Sequence, residues 1–370
     1  MRVGILTSWP LGSTVGSGVT ESVRGFATGL RDRGQEVSVV APVKRALPGP
    51  TLMAARRVFY NGGLPRRIRN AQRRDQLDVL LGFDYDGCYL EPRRRPPLTA
   101  FCGGTLADIL RYEKGWNRLL LRLQARLEAQ NLSQAEQAAV PSRYAADSVL
   151  RHYGLSPGKV HVVPLAVDSA LWDGLDPIPP DPPPEPPVVL SVARHYPRKG
   201  LDLLLEAWAG LHRHTGGTLA LVGSGPRTGA LRRLAEERGL LDSVRFVGEV
   251  EERARLKGWY ARAHLFCLPS RHETFGLVFL EAALHGLPVV ALDTTAVGEV
   301  VAHGRTGYLV DPTPEEGLPE RLQGVLRDLL EQDQERLETG RAARKAALGR
   351  NWSDAAGDLL PLLNPSRSRS

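Results

Sequence analysis

Residues 176–187 read DPIPPDPPPEPP, eight prolines in twelve positions, and a fresh series of strands and helices starts on each side of them. Proline lacks the backbone N–H that helices and central strands require and favours extended polyproline II geometry, so the stretch reads as a semi-rigid linker. Before it, apolar runs at residues 2–8 (RVGILTS), 36–41 (EVSVVA), 77–81, 98–101, 138–140 and 160–163 predict strands. Helical patterns lie at about residues 20–33, closed by Gly34, and at about residues 106–129, with a break at Gly115. After it, strands are expected at residues 188–192, 218–222, 244–247, 265–268 and 288–292. Helices at 201–212, 228–238, 253–261 and 276–285 separate them. Such alternation predicts parallel sheets covered by helices on both faces. The expected fold class is α/β, with two doubly wound Rossmann-like domains facing across a cleft and ligands at the carboxyl ends of the strands. Expected boundaries are an N-terminal domain at 1–175, the linker at 176–187 and a C-terminal domain at 188–350.

A chain of 370 residues is long enough for two cores, and 42% hydrophobic with 24% charged residues is a globular balance rather than a disordered or fibrous one. The three cysteines (Cys88, Cys102, Cys267) form no CxxC pair and the nine histidines no HExxH, which argues against a disulfide framework or a zinc site. No apolar run approaches the roughly 20 residues of a membrane span. MRVGILTSWP reads as a strand rather than a signal peptide, so a cytoplasmic location is expected.

The net charge of +7 is unevenly placed. Residues 1–176 hold 24 basic and 16 acidic residues, a balance of +8, whereas residues 177–370 hold 24 and 25, a balance of −1. The densest basic run is Arg56, Arg57, Arg66, Arg67, Arg69, Arg73 and Arg74, with no acid among them. Val58, Phe59, Tyr60, Leu64 and Ile68 are interspersed, a composition suited to an anionic membrane surface. A solvated basic face has the same composition. No nucleic-acid motif accompanies the run, and nucleic acid is not expected as a partner.

The segment richest in chemistry is residues 267–286, CLPSRHETFGLVFLEAALHG. A helix starting near Gly276 would aim unpaired amides and the positive end of its dipole at one spot, which suits a phosphate. Glu281, one and a half turns in, would face the same pocket and accept from sugar hydroxyls, while Glu273 would reach a group beyond the phosphate. Taken alone, a solvated acid before an ordinary helix gives the same spacing.

With its surroundings the segment resembles the GT-B glycosyltransferases, specifically the retaining enzymes of glycosyltransferase family 4. The resemblance rests on the E-x7-E element at Glu273 and Glu281 within LPSRHETFGLVFLEAALHGLPVVA and on GRTGYLV at residues 304–310, and covers almost the whole chain. It implies an NDP-sugar donor as substrate, held mainly by the C-terminal domain, and no cofactor or metal. It assigns Glu281 to the ribose hydroxyls, Glu273 to the transferred sugar, and the amides of Phe275, Gly276 and Leu277 to diphosphate and sugar. Arg194 and Lys199, in RHYPRKG after the strand at 188–192, match the family's cation pair, which stabilises the charge gathering on the diphosphate as the glycosidic bond breaks. Gly223, in GSGP, matches a turn where glycines allow a ligand close approach, and Val250, in FVGEV, matches the segment flanking the base. Ser17 and Gly18, after the first strand, match the family's glycine loop at donor phosphate and acceptor. Residues 351–363, with Trp352, resemble a final helix that crosses back to the first domain.

One position departs from the pattern. Cys102 stands where a His-Gly pair is common in the family, and is expected to be a buried, inert thiol. A transfer in which diphosphate oxygen takes the acceptor's proton needs no enzyme base there. Asp84-Tyr85-Asp86 is a DxD triplet, a metal motif in the other glycosyltransferase fold, and is expected here as a surface loop. The function expected is a retaining hexosyltransferase moving sugar from an NDP-sugar to a glycan or lipid-linked acceptor in cell-envelope synthesis. A catalytically silent sugar-nucleotide-binding protein and a nucleotide-sugar epimerase are the alternatives.

Overall fold

The computed structural model describes residues 1–11, 18–42, 50–178, 180 and 184–364, with the side chains of 50–54 and 75 excluded. Its contacts divide the chain into two units, Met1–Ala166 with Asn351–Ser370, and Val167–Arg350. Val167 to Leu175 therefore belongs to the second unit, not to the first domain expected to end at residue 175. Trp172 is buried in the second unit's core, and Lys257 donates to the Leu175 carbonyl at 2.7 Å. Ile178 and Pro187, near the two ends of the proline-rich stretch, are bonded to the same unit: Ile178 N donates to Ala254 O at 3.0 Å and Thr218 N to Pro187 O at 2.9 Å.

The first unit runs β1 (Arg2–Leu6), α1 (Gly18–Asp32), β2 (Glu36–Val40), α2 (Pro50–Asp75), β3 (Val79–Phe83), β4 (Leu98–Phe101), α3 (Leu106–Ile109), α4 (Gly115–Gln134), β5 (Gln137–Val140), α5 (Arg143–Tyr153) and β6 (Val160–Val162). Its six strands are all parallel in the order β2-β1-β3-β4-β5-β6. β3 and β4 are buried throughout, which is why their sequences are continuous rather than alternating apolar runs. The break expected at Gly115 is present: at φ +57° this residue opens α4, after the short helix α3.

The second unit runs α6 (Ala170–Asp173), β7 (Val188–Val192), α7 (Leu201–Thr215), β8 (Thr218–Val222), α8 (Thr228–Glu237), β9 (Val244–Gly248), α9 (Arg253–Arg262), β10 (Leu265–Leu268), α10 (Leu277–Leu284), β11 (Val289–Leu292), α11 (Val297–Val300), β12 (Gly307–Val310), α12 (Leu318–Glu331) and α13 (Asp333–Leu348). Its strands are parallel in the order β12-β11-β10-β7-β8-β9. Trp208, Tyr260, Phe266 and Phe279 are the largest fully buried side chains in this core, and Trp172 and Trp259 are nearly so. The chain then enters α14 (Trp352–Leu363), which packs on α1 in the first unit. α14 starts with a reciprocal cap between Asn351 and Asp354, and Trp352 meets Phe26 edge-on at 5.2 Å between ring centroids. Among the described residues no helix is long and apolar enough to cross a membrane.

Two expectations about the first unit are corrected here. Asp84-Tyr85-Asp86 is not a surface loop: all three residues are buried at the end of β3. The basic run from Arg56 to Arg74 is not one surface either, because Arg57, Tyr60, Leu64 and Ile68 on α2 face the core. Arg66, Arg67, Arg69, Arg73 and Arg74 remain outside with Val58 and Phe59.

Candidate functional site

In each sheet the first strand has neighbours reached in opposite directions, so a crevice opens at the carboxyl ends of β7 and β10 in the second unit and of β1 and β3 in the first. The second unit collects most of the expected site residues around its crevice. Arg194 and Lys199 follow β7, Gly223 follows β8, Val250 follows β9, and Glu273, Phe275, Gly276 and Leu277 follow β10.

The crevice is bridged by the largely buried Lys199 and the buried Glu273, whose side chains form a salt bridge. Ser270 Oγ donates to the same Glu273 carboxylate at 2.8 Å. Burial alone would raise the Glu273 carboxyl, but Lys199, Arg198 and the hydrogen bonds from Lys199 and Ser270 outweigh it and hold the group below the usual range. Burial lowers the Lys199 ammonium, with Glu273 opposing. The backbone of Glu273 is held at both ends: its N–H donates to Thr295 Oγ1 at 2.9 Å and its carbonyl accepts from Ala296 N at 3.2 Å. Lys199 is placed by Gly200, whose φ is +65° and whose position leaves only 2.0 Å between a Cβ and the Pro269 carbonyl oxygen. No side chain other than hydrogen fits there.

Arg194 is half exposed and its Nη1 lies 3.9 Å from Glu249 Oε1, which also accepts from Ser224 Oγ at 2.6 Å. Between them, His195 is buried, its Nδ1 2.9 Å from Thr228 Oγ1. Burial first, then the cations Arg232 and Arg194, push the imidazole down to about 4, so it is neutral. Gly223 and Gly225 are explained by backbone packing: a Cβ at Gly223 would lie 2.0 Å from Ala193 O and one at Gly225 2.7 Å from His195 O. The turn lets the Arg194 loop close down on it.

α10 starts at Gly276, which caps it at φ +94° with no side chain bonded to the first turn. Phe275 is buried beside it, while Gly276, Leu277 and Val278 are partly exposed. Glu281 accepts from Tyr260 Oη at 3.2 Å, and Tyr260 stacks on His285 with centroids 4.6 Å apart. Tyr260, Ser270 and Thr295 escaped the sequence reading. Tyr260 and Thr295 reach an acidic residue from separate elements, which nothing local marks, whereas Ser270 lies three residues before Glu273 in the same loop.

In the first unit Gly18 is the first residue of α1, on the loop from β1, and Ser17 lies outside the described residues. The crevice there is filled by a buried polar cluster. Arg57 Nη2 meets Asp84 Oδ2 at 3.0 Å and its Nε donates to Ser8 Oγ at 2.7 Å, while the guanidinium lies over the Tyr85 ring at 4.1 Å. Asp86 accepts from Ser8 N at 2.6 Å and Asn61 Nδ2 at 2.8 Å. Cys102 is fully buried, as expected, and burial first and Glu128 next raise its thiol well above the ordinary value. It is inert at neutral pH. Among the described residues no group of three or more His, Cys, Asp or Glu side chains could hold a metal ion.

Two family models match the chain: glycosyl transferases group 1 over residues 177–346 and glycosyltransferase family 4 over residues 16–171. The chain is a GT-B glycosyltransferase of the family 4 type. Among solved structures, the chain superposes on sucrose-phosphate synthase from Thermosynechococcus elongatus with a TM-score of 0.78 at 20% identity, covering 100% of both chains. It superposes on the HepE protein of Anabaena in complex with UDP and glucose with a TM-score of 0.72 at 19% identity, covering 98% and 99%. These likenesses establish the GT-B fold. A GDP-mannose-dependent alpha-(1-6)-phosphatidylinositol monomannoside mannosyltransferase of Mycobacterium tuberculosis is 35% identical over 179 residues, 46% of this chain and 44% of that one. A D-inositol 3-phosphate glycosyltransferase of Jonesia denitrificans is 33% identical over 239 residues, 58% and 53%. The chain spans about half the length of the curated relatives it matches.

Proposed function

We propose that this glycosyltransferase is a retaining hexosyltransferase that moves a sugar from an NDP-sugar to a hydroxyl of a glycan or lipid-linked acceptor, in the cytoplasm and in the service of cell-envelope glycolipid or polysaccharide synthesis. The observation that carries the reading is the Lys199–Glu273 bridge beside the start of α10, where no side chain bonds the first turn. It puts a cation, a carboxylate and free backbone donors at one crevice, the combination a sugar diphosphate requires.

In this reading Arg194 and Lys199 hold the diphosphate and the amides of Phe275, Gly276 and Leu277 meet its oxygens and the sugar. Glu281, steadied by Tyr260, takes the ribose hydroxyls, and Glu273 takes the transferred sugar. Gly223 and Val250 line the base. Ser17 and Gly18 serve phosphate and acceptor from the first unit. The bond between the anomeric carbon and the diphosphate oxygen breaks with its electron pair going to the diphosphate. The acceptor oxygen bonds to the same face of that carbon and its proton passes to a diphosphate oxygen. Arg194 and Lys199 supply the positive charge for the leaving group, so no metal is needed. Similarity to a GDP-mannose-dependent phosphatidylinositol monomannoside mannosyltransferase and to a D-inositol 3-phosphate glycosyltransferase supports a nucleotide-sugar donor and a phosphorylated or lipid-linked acceptor.

A panel of NDP-sugars with the purified chain, read as nucleotide released by slow hydrolysis, tests this. One donor should turn over, activity should survive EDTA, and the product should keep the donor's anomeric configuration. Strict dependence on manganese, or an inverted product, would contradict the reading. Cys102 in place of the family's common histidine favours a second reading, a silent sugar-nucleotide binder. Donor binding without turnover would establish it, and turnover to an epimer without any acceptor would mark an epimerase instead.

A further inference from the structure

The first half of α4 carries an apolar row that the described residues leave substantially exposed. Trp116 is 64% exposed, Leu119 44% and Leu123 48%. At spacings of three and four they share one side of the helix. Arg118, Arg122 and Arg126, four apart and exposed, form a second row beside the first, and Lys114 stands exposed just before the helix. No acid occurs between Lys114 and Leu127. The side of α4 that enters the core is a different one, made by Ala125, Glu128, Asn131 and Leu132. A helix of a globular unit ordinarily turns polar residues to water. Here large apolar residues are presented, with charges of a single sign alongside.

The position of the row adds to its composition. All strands of this sheet are parallel and α4 leads into β5, so α4 runs against the strands and its first half lies at their carboxyl ends. Tyr85 Oη, in the loop after β3, is 3.2 Å from Gln124 Oε1 on α4. The row therefore flanks the end of the sheet where ligands of such folds bind.

We propose that the first half of α4 docks the chain onto an anionic phospholipid bilayer, with Trp116, Leu119 and Leu123 entering the interface and Arg118, Arg122 and Arg126 facing lipid phosphates. Charge complementarity selects this occupant: a second copy laid on the same row would set arginine against arginine, whereas an anionic surface answers every charge. α2 offers less, because Tyr60, Leu64 and Ile68 are turned into the core. The proposal deepens the functional reading by naming the surface from which a lipid-linked acceptor would be taken, and rests on that reading for this purpose alone.

The experiment uses the full chain with vesicles of phosphatidylglycerol and phosphatidylcholine, against phosphatidylcholine alone, some carrying brominated acyl chains that quench nearby tryptophan. Trp172, Trp208, Trp259 and Trp352 are buried and Trp9 is partly so, which leaves Trp116 as the exposed reporter. Anionic vesicles should sediment the protein and quench its emission, less so at high salt. Trp116→Phe should keep sedimentation and lose most of the quenching. Leu119→Ser with Leu123→Ser, and Arg118→Gln with Arg122→Gln and Arg126→Gln, should each lower the bound fraction on the order of tenfold with unchanged melting temperature. Quenching retained in Trp116→Phe would overturn the assignment. So would binding that survives the α4 changes and is lost in Arg66→Gln, Arg69→Gln and Arg73→Gln, indifference to anionic vesicles at low salt, or a dimer abolished by the leucine changes. Donor hydrolysis in solution judges the functional reading separately.

Discussion

Arg57 and Asp84 come from different elements of the first unit and form a salt bridge at 3.0 Å, with 5% and 8% of their side chains exposed. Removing one partner strands the other charge away from water. Asp84→Ala should therefore cost about 3–5 kcal/mol, whereas Arg57→Met combined with Asp84→Leu should cost less than either single change. Urea unfolding of the three variants decides this. A double variant as damaged as the sum of the singles would mean that the pair is worth its full strength to stability.

Two carboxyls of the same cluster make stability depend on pH. Burial, and after it the charge of Asp84, pushes Glu128 up to about 8, against hydrogen bonds from Tyr153 and Leu106 and the charge of Arg57. Burial also pushes Asp86 up to about 6, against Arg57, Asn61 and Ser8. Both values are raised, so the folded chain retains protons that the unfolded chain has released above about pH 4. Their contribution is fully present below that point and is lost as the pH rises towards about 8. Melting temperature should fall across this window, and Glu128→Gln should flatten its upper part. A wild-type profile that rises instead would contradict the assignment.

Turnover and stability should separate at the two donor-side cations. Arg194 is half exposed, so Arg194→Ala should depress turnover by roughly 10²-fold with little change in melting temperature. Lys199→Ala should depress both, because Glu273 is left buried without its partner. Equal thermal stability in the two variants would show that Glu273 finds water or another donor.

The two acids should divide the donor between them. Glu281→Ala should weaken free NDP and NDP-sugar alike, and Glu273→Ala should spare free NDP while damaging transfer. Tyr260→Phe removes one hydrogen bond from Glu281, worth about 1 kcal/mol, and should weaken NDP by roughly fivefold. Calorimetry with NDP alone on the three variants is the measurement. An equal loss for Glu273→Ala and Glu281→Ala would refute the division.

The first unit should depend on the last helix. A Cβ at Gly25 would lie 2.0 Å from the Trp352 ring and one at Gly29 2.1 Å from its carbonyl oxygen, so α1 and α14 touch through glycines. Trp352→Ala should cost about 3–5 kcal/mol and Gly25→Ala should also destabilise, through overlap. Truncation before Asn351 should expose the first unit to limited proteolysis at temperatures where the second resists. Unchanged protection would show that α14 is dispensable.

The sequence by itself determined eleven of the twelve strands, the helices that follow β1, β7, β8, β9 and β10, the doubly wound class and the segment around Glu273 and Glu281, but not the helices α2, α5, α12 and α13. These are local properties: an apolar run, a helical period or a glycine at a sharp turn is written in adjacent residues. Tertiary structure decided which similar side chains meet water. An arginine run reads the same whether a guanidinium is solvated or paired, and Arg57 finds Asp84 27 positions away. Tyr260 reaches Glu281 across 21 positions and a change of element. Trp116, Leu119 and Leu123 have the spacing of a core face, and only the packing of Ala125, Glu128, Asn131 and Leu132 shows that another side of α4 holds that place. Burial is a property of what lies opposite, and what lies opposite is set by the sheet order.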